Sequence, residues 1–323
     1  MSFRLLLYAP DGHPEHNLFK WRDRLEMEIP GIEIDLVASE GEAIEAIANA
    51  DAAFGNISAE IFVRGEKLRW VACPQAGPPS GWYHDELVNS DVVVTNTREI
   101  YNDHISTHIL AFILAFARGL NNYVSHQLNR EWHRPAYRVK HLSDTTVLIV
   151  GVGGIGRETA RLCKSFGMTV LATDPRIEKK SKGVDELHHP NDIGPLIPRA
   201  DFVVSTVPET PKTGGYFDHN FFDHMREGAF FINIGRGATV VLDDLDSALR
   251  NGHLAGAGLD VFEIEPLPED HPLWKAPGIL ITPHVAGEGP YLPERRTELF
   301  IDNCKRFANG ENLINVVDKE NWF

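Results

Sequence analysis

Three side chains in the second half of the chain suggest chemistry most directly: Arg236, Glu265 and His284. Each stands shortly after an apolar run typical of a buried strand. The carboxyl ends of parallel strands meet at one sheet edge, where ligands bind, so we expect the three to converge there. An imidazole can give and take a proton near neutral pH, and a guanidinium offers two parallel donors to a carboxylate. Each residue alone would more often be a surface or capping residue, but together at strand ends they predict a catalytic site.

Residues 145–174 contain a strand, a glycine turn, a helix and a second strand in one unbroken unit, and the rest of the chain can be placed relative to it. Gly151, Gly153 and Gly156 stand in the GxGxxG register directly after the strand. They allow a tight turn, the approach of a pyrophosphate and close packing of the helix on the strand, respectively. The helix start adds free N–H groups and the positive end of a dipole. This unit predicts a dinucleotide site.

Asp174, at the end of the second strand, indicates which dinucleotide binds. A carboxylate there accepts hydrogen bonds from the ribose hydroxyls of the adenosine, which favours NAD over NADP. Arg176, with Lys179 and Lys180 close behind, would tolerate a 2′-phosphate. NADP therefore stays open as the alternative cofactor.

Size and composition are those of a globular protein with room for two domains: 323 residues, 43% hydrophobic and 24% charged. The net charge of −15 argues against partners that need a basic face, so we expect neither a nucleic acid nor an anionic membrane surface. Residues 109–117 are the most apolar segment. Because nine residues are too short to span a bilayer, they are typical of a buried helix.

Cys73, Cys163 and Cys304 are odd in number and far apart, with no metal-ligand spacing. They suggest neither a disulfide framework nor a zinc site, which favours the cytoplasm. The N-terminal apolar run is short and is followed by Pro10 and Asp11, so it fits a first strand better than a signal peptide.

Short apolar runs bounded by turn residues predict two parallel sheets. In the first hundred residues they alternate with amphipathic helical stretches, of which 15–28 and 42–50 are the clearest. The predicted strands of the first sheet are 4–9, 34–37, 52–55, 68–73 and 92–94. Those of a second, larger sheet are 146–150, 168–173, 202–206, 230–234, 257–261 and 279–282. We therefore predict an α/β fold with two doubly wound domains, and a last helix over 291–309 that returns to the first.

Two stretches lie between the first predicted sheet and the glycine unit. Residues 98–121 have the pattern of one long helix, which we take as the boundary element between the domains. Residues 122–142 form a polar arm, typical either of a loop that covers a partner subunit or of a surface excursion. In the first case Trp132 would contact the substrate of the neighbouring subunit. His104 and His108 are four apart on the helix, but no third ligand can be placed, so no metal site is predicted.

Five motifs, in this order and spacing, resemble those of the D-isomer-specific 2-hydroxyacid dehydrogenase family. They are LIVGVGGIGRETA followed by TDP, VPETPKTGG, FINIGRGATV, AGAGLDVFEIEPLP and ILITPHVAG. The match is specific over residues 97–287 and continues in FIDNCKRFANGENLINVVD. The first hundred residues match mainly in pattern and in the loop CPQAG.

The resemblance implies a reaction and a role for each polar residue. NAD(P)-dependent hydride transfer would interconvert a 2-keto acid and a D-2-hydroxy acid, in the class of glyoxylate and hydroxypyruvate reductases. His284 would be the acid/base, and Glu265 would hold it and favour its protonated form. Arg236 would bind the substrate carboxylate and polarise its carbonyl, and the backbone N–H groups of Ala76 and Gly77 would hold the same carboxylate.

The resemblance also implies a set of cofactor contacts, with Asp260 bonding the nicotinamide amide. The cofactor-binding residues are Gly151, Gly153, Gly154, Ile155, Gly156, Asp174, Val207, Pro208, Ile234 and Asp260. The chain departs from the family on the long helix, where it has Ser106-Thr107-His108 instead of Ala-Glu-His, so no role is transferred to that acid. It also departs in the bulky loop PQAGPPSGWYH, which leaves the substrate side-chain pocket open.

The resemblance further implies a domain organisation. A Rossmann nucleotide domain, residues 99–287, would be inserted into a flavodoxin-like substrate domain, residues 1–98 plus 288–323. The site would lie in the cleft between them, and the nucleotide domains would pair into a homodimer.

An alternative from another class is an NAD(H)-sensing regulatory protein, resembling the C-terminal binding corepressors. Those proteins retain the three polar residues, so the triad does not exclude this function. Formate and phosphite dehydrogenases share the scaffold, but the formate enzymes lack this arrangement of Glu265 with His284. The sequence leaves open which 2-keto acid is used and in which direction the reaction runs.

Overall fold

The computed structural model of the chain describes residues 2–10, 18–78, 81–132, 134, 139–176 and 180–322. The chain divides into two compact units. Unit 1 consists of Met1–Ile100 and Gly289–Phe323, and unit 2 of Tyr101–Glu288.

The strands and helices alternate along most of the described chain. The strands are β1 Arg4–Tyr8, β2 Glu33–Val37, β3 Ala52–Phe54, β4 Trp70–Ala72, β5 Val93–Thr95, β6 Thr146–Val150, β7 Thr169–Thr173, β8 Glu186–His188, β9 Phe202–Ser205, β10 Phe230–Asn233, β11 Gly256–Leu259 and β12 Ile279–Ile281. The α-helices are α1 Leu18–Glu28, α2 Glu40–Ile47, α3 Ala59–Phe62, α4 Asp85–Val88, α5 Asn102–Ala117, α6 Leu120–Leu128, α7 Gly154–Ser165, α8 His219–His224, α9 Leu242–Arg250 and α10 Leu292–Asn309.

Unit 1 is built on a five-stranded parallel sheet in the order β2-β1-β3-β4-β5. This is the flavodoxin-like strand order. Leu5 and Leu7 belong to one hydrophobic core, and Leu6 and Tyr8 to another. Because successive side chains of a strand point to opposite faces, the sheet is covered on both sides.

Unit 2 is built on a seven-stranded parallel sheet in the order β12-β11-β10-β9-β6-β7-β8. From β6 outward the order reverses direction, as in the Rossmann fold. Along β6, Val147 and Ile149 enter one core while Leu148 and Val150 enter the other, and each is at most 2% exposed. The predicted fold class, two parallel-sheet α/β domains with a Rossmann-like fold, is confirmed.

The predicted long helix over 98–121 is wrong in one respect, because the chain breaks it in two. Gly119 adopts the left-handed conformation, with φ of 69°, which separates the end of α5 from the start of α6. The first part of the predicted polar arm is therefore helical, since α6 continues to Leu128.

Helices α5 and α7 cover one face of the sheet of unit 2. Ile109, Ile113 and Phe116 of α5 share a core with Ala160 and Cys163 of α7. Cys163 is completely buried in this core, with 0% of its surface exposed. All three cysteines of the chain are buried.

Among the helices of the described ranges, none has both the length and the apolar character needed to cross a bilayer.

Some sequence predictions fall outside the described residues. These are the first turn of the helix predicted from Glu15, Lys179 near the nucleotide site, and residues 133 and 135–138 of the arm.

Candidate active site

The glycine turn joins β6 to α7 at the carboxyl edge of the larger sheet. Gly151 has a φ of 95°, and a Cβ on Gly156 would lie 2.1 Å from the carbonyl oxygen of Gly151. Only glycine therefore fits at Gly156 without moving the helix off the strand. A Cβ on Gly153 would meet nothing closer than Nη2 of Arg176 at 4.0 Å. The helix N-terminus, which begins with Gly154 and Ile155, thus has open space in front of it for an anion.

Asp174 follows β7 and is only 5% exposed. Its Oδ2 accepts from the N–H of Val152 at 2.8 Å, and its Oδ1 accepts from the backbone N–H and the Nε of Arg176 at 2.9 and 3.0 Å. Burial raises the pKa of Asp174, but the hydrogen bonds from Arg176 and Val152 outweigh it, so its pKa lies below the ordinary value. The carboxylate of Asp174, the predicted ribose acceptor, is therefore charged, and it is paired with Arg176.

The loops after β9 and β10 touch one another. A Cβ on Gly235 would lie 2.4 Å from the carbonyl oxygen of Val207. The carbonyl of Pro208, the next residue, accepts from the hydroxyl of Thr213 at 2.8 Å. Ile234 is 6% exposed and packs into the core beneath this edge. These contacts fix the edge of the sheet between the glycine turn and Arg236.

Arg236 lies on a loop that Asn233 organises. The buried Asn233 side chain accepts from the N–H of Gly235 and donates to the carbonyl of Arg236, both at 3.0 Å. The same carbonyl accepts from the hydroxyl of Thr239 at 2.7 Å, and Nη1 of Arg236 donates to the carbonyl of Gly235 at 2.6 Å. The sequence pattern does not single out Asn233, although it ends a strand as the predicted residues do.

Gly237 brings this loop against the segment that leads to Glu265. A Cβ on Gly237 would lie 1.8 Å from the carbonyl carbon of Phe262, which no side chain could do. The N–H of Phe262 in turn donates to Oε1 of Glu265 at 2.8 Å. The loop of Arg236 and the segment of Glu265 are therefore packed backbone to backbone.

Glu265 and His284 form a close pair. Nδ1 of His284 lies 2.7 Å from Oε2 of Glu265. The side chains are 50% exposed for His284 and 34% for Glu265. If Glu265 is ionised, Nδ1 must carry a proton, so Nε2 is the ring nitrogen through which His284 can exchange a proton with a bound molecule.

The backbone around His284 is wound onto Asp260. His284 has a φ of 54°, in the left-handed region, and its N–H donates to the carbonyl of Asp260 at 2.8 Å. The carboxylate of Asp260 accepts from the N–H groups of Val285 and Ala286 at 3.0 and 2.9 Å. Asp260, predicted as a cofactor contact, thus makes these bonds to the segment that carries His284.

Two further residues join Asp260, and sequence reasoning missed both. The hydroxyl of Thr282 donates to Oδ1 of Asp260 at 2.5 Å, and Nε2 of His108 lies 3.0 Å from the same hydroxyl. Thr282 stands directly after β12, so the strand-end rule that found His284 could have found it. His108 lies on α5, far away in sequence, and its neighbours in the sequence do not indicate this partner. Within the described residues, no group of three or more His, Cys, Asp or Glu side chains could hold a metal ion.

Ala76 and Gly77 belong to unit 1, in the loop after β4. Both are partly buried, and the carbonyl of Ala76 accepts from the side chain of Asn96 at 2.9 Å. Trp82 and Tyr83, which make this loop bulky, are 8% and 4% exposed and pack edge to face with ring centroids 5.0 Å apart.

Comparison with known proteins gives matches to one family. Residues 110–286 match the NAD binding domain of the D-isomer specific 2-hydroxyacid dehydrogenases. A glyoxylate/hydroxypyruvate reductase A of Serratia proteamaculans is 34% identical over 212 residues, which cover 65% of this chain and 66% of that protein. The glyoxylate reductase of Korarchaeum cryptofilum is 31% identical over 320 residues, which cover 95% of this chain and 94% of the relative.

Solved structures agree with this match. A D-isomer specific 2-hydroxyacid dehydrogenase from Xanthobacter autotrophicus Py2, crystallised with NADPH and MES, has a TM-score of 0.85 to this chain at 27% identity, with 100% of both chains covered. The family match spans more than half of the chain, and the archaeal relative matches nearly all of it. The chain is therefore an NAD(P)-dependent oxidoreductase that belongs to the D-isomer specific 2-hydroxyacid dehydrogenase family.

Proposed function

We propose that this protein interconverts a 2-keto acid and a D-2-hydroxy acid, with His284 as the acid/base. The observation that carries this proposal is the pair formed by Nδ1 of His284 and Glu265 at 2.7 Å, at the carboxyl edge of an NAD(P)-binding sheet. Reduction of a ketone needs a hydride at the carbonyl carbon and a proton at its oxygen. The bound dinucleotide supplies the hydride, so the protein must supply the proton.

His284 would deliver that proton from Nε2 during reduction and take it back during oxidation. The carboxylate of Glu265 would accept a hydrogen bond from the Nδ1–H group and hold the ring in that orientation. Its other carboxylate oxygen is held by the N–H of Phe262 at 2.8 Å, which keeps the carboxylate from turning away. The left-handed backbone of His284 is held by Asp260, so the ring is aimed by contacts on both its side chain and its main chain.

Arg236 would bind the carboxylate of the substrate and polarise its carbonyl, because its guanidinium presents a planar fork of donors. We infer the same carboxylate contact for the backbone N–H groups of Ala76 and Gly77. The substrate is then a small acid with its carbonyl next to the carboxylate. Glyoxylate and hydroxypyruvate are the first candidates, since relatives of this chain bear the names of their reductases.

For the cofactor we propose that NAD is preferred and NADP is tolerated. The charged carboxylate of Asp174 would repel a 2′-phosphate, which favours NAD. Arg176, whose Nε lies 3.0 Å from that carboxylate, reduces the repulsion and provides a cation beside the ribose. The open N-terminus of α7 at Gly153 fits the pyrophosphate of either dinucleotide. At Val207, Pro208 and Ile234 we propose contacts with the bound cofactor.

We also propose a homodimer formed through the nucleotide domain. Helix α6 buries none of its residues, and Leu120, Val124 and Leu128 recur at helical spacing with exposed fractions of 51%, 54% and 77%. Trp132 is 95% exposed just beyond it. A second copy of the chain would cover this apolar stripe, and a Val124→Lys variant should then sediment at half the mass of the wild type. The absence of predicted disulfides leads us to place the protein in the cytoplasm.

The test of function is the oxidation of NADH and NADPH with glyoxylate, hydroxypyruvate, pyruvate and phenylpyruvate, followed by loss of nicotinamide absorbance. Turnover that disappears in His284→Ala supports the proposal and ranks substrates and cofactors together. NADH binding without turnover on any acid would instead favour the regulatory, NAD(H)-sensing alternative.

A further inference from the structure

His108 has no assigned role in the proposed reaction. It lies on α5, partly buried, with its side chain 22% exposed. Phe112, one turn further along, packs directly on β11, because a Cβ on Gly258 would come within 2.8 Å of its ring. His108 makes an edge-to-face contact with Phe112, with ring centroids 4.8 Å apart. The helix thereby places the imidazole of His108 near the ends of β11 and β12.

The hydrogen bonds that leave His108 run in one direction. The hydroxyl of Thr282 has one proton, and at 2.5 Å that proton goes to Oδ1 of Asp260. The contact of Thr282 with Nε2 of His108, at 3.0 Å, then requires that His108 is the donor. A neutral imidazole with its proton on Nε2 satisfies this, and burial favours the neutral form by lowering the pKa of His108.

The end of this chain of bonds is the backbone that carries His284. Asp260 receives the Thr282 hydroxyl and the N–H groups of Val285 and Ala286 on its carboxylate, and the N–H of His284 on its carbonyl. The orientation of one carboxylate therefore sets the main chain on the far side of His284. Thr282 holds this carboxylate through its hydroxyl, and His108 holds that hydroxyl in turn.

We propose that His108 is a positioning residue, which acts through Thr282 and Asp260 to hold His284 in register with the substrate. This inference rests on the proposed role of His284 as the acid/base. His108 does not exchange a proton in the reaction. It supplies one fixed donor to the hydroxyl of Thr282. Without that donor, the hydroxyl would hold the carboxylate of Asp260 less firmly, and the segment that carries His284 would become more mobile.

Two matched pairs of variants test the donor. In His108→Gln the amide nitrogen reaches the place of Nε2, whereas in His108→Asn it stops at the place of Nδ1. Thr282→Ser keeps the hydroxyl, and Thr282→Val removes it at nearly the same volume. Thr107→Val serves as the control on the same helix, because the exposed Thr107 hydroxyl donates within α5, to the carbonyl of Asp103.

We expect His108→Asn and Thr282→Val each to lower kcat on the order of tenfold, because a small misplacement of a catalytic group is enough for such a loss. KM for NADH should stay within about twofold, whereas general damage to the domain would move it as well. His108→Gln and Thr282→Ser should recover most of the loss. The double variant that combines His108→Asn with Thr282→Val should have a kcat no lower than that of Thr282→Val alone, because both substitutions break the same chain of hydrogen bonds. The melting temperature and NADH binding of each variant show that it is folded.

Three results would overturn the inference: His108→Asn with the kcat of the wild type, His108→Gln as slow as His108→Asn, or losses that multiply in the double variant. His284→Ala separates this failure from that of the proposed function. If His284→Ala is inactive while His108→Asn is normal, only the positioning role fails. If His284→Ala keeps full turnover, the acid/base role itself is wrong. Should His108→Asn not fold, the Thr282 pair and the Thr107 control carry the same decision.

Discussion

The two sides of the carboxyl edge of the larger sheet are built in different ways. On the side of β6 and β7, the groups that we propose for binding the dinucleotide are backbone N–H groups, bare glycines and one carboxylate, all within residues 151–176. On the side of β10 to β12, the groups are side chains from three separate loops. They are held by contacts such as Glu265 with His284, and His108 with Thr282 from 174 positions away.

The difference follows from what each side must do. Binding a pyrophosphate needs a helix N-terminus and room for the backbone, which a short local motif can provide. Transferring a proton needs a side chain fixed in direction, and the fixing groups come from wherever the fold brings them. Changes on the first side should therefore alter cofactor affinity, and changes on the second should alter turnover.

The largest effect should come from His284→Ala. Removing the proposed proton donor should lower kcat by about 10²- to 10⁴-fold, because that is the usual contribution of general acid–base catalysis. The dissociation constant for NADH should stay near that of the wild type, as measured by quenching of protein fluorescence. A variant that turns over normally would remove His284 from the mechanism.

Arg236→Lys should give the next largest loss. Lysine keeps the charge but not the planar pair of donors, so we expect kcat/KM for the keto acid to fall on the order of 10²-fold. Steady-state kinetics at saturating NADH measure this. Unchanged saturation by the keto acid would mean that its carboxylate is bound elsewhere.

Two glycine substitutions test the division between the sides directly. In Gly237→Ala the new Cβ would lie 1.8 Å from the carbonyl carbon of Phe262, so the loop of Arg236 must shift away from the segment of Glu265. In Gly156→Ala it would lie 2.1 Å from the carbonyl oxygen of Gly151, so α7 must shift. We expect the first to lower kcat and the second to raise the KM for NADH, each by at least about tenfold.

Gly194→Ala is the control for both substitutions. A Cβ there would meet nothing within 4 Å, so both parameters should stay at wild-type values. The comparison of the two sides fails if Gly156→Ala and Gly237→Ala change the same parameter to the same degree while the control is silent.

The smallest effect should be on cofactor choice. Asp174→Asn removes the charge that opposes a 2′-phosphate and weakens the proposed hydrogen bonds to the ribose hydroxyls of NADH. We therefore expect the ratio of kcat/KM for NADPH to kcat/KM for NADH to rise about tenfold. Arg176→Gln should lower the same ratio, because it removes the cation beside the carboxylate. Ratios that do not move in opposite directions would contradict the roles proposed for this pair.

The sequence predicts the side of β6 and β7, whose groups are close together in the chain. It predicts only part of the side of β10 to β12, whose groups come from distant segments. The strand over 146–150 and the glycine turn could be recognised because period, β-branched residues and glycines coincide within a few residues. Arg236, Glu265 and His284 could be found because each follows a strand. Asn233 ends β10 and Thr282 directly follows β12, so their positions meet the same rule, but an amide and a hydroxyl suggest no chemistry by themselves and their contacts give them a role.

Other features depended on contacts that no local pattern contains. The break between α5 and α6 lies at Gly119, a residue that is tolerated in helices and becomes a break only through its left-handed backbone. β8, Glu186–His188, is absent from the sequence prediction, because a single leucine between two polar residues, all three partly buried, forms no apolar period. His108 could not be assigned from its sequence neighbours, since its partner Thr282 lies in another part of the chain.

The buried cysteines allow the opening of each unit to be followed by the rate at which they are alkylated. Burial raises the pKa of Cys163 on α7 to about 12, so an alkylating reagent reaches it as thiolate only when unit 2 opens. Cys73 and Cys304 are buried in unit 1 and record the opening of that unit. A dinucleotide bound at the start of α7 would lower the fraction of molecules in which unit 2 is open, by a factor of 1 + L/Kd, where L is its free concentration. Timed alkylation read by mass spectrometry should therefore show Cys163 becoming slower to label as NADH is added, which gives a measure of cofactor binding that needs no substrate and no turnover.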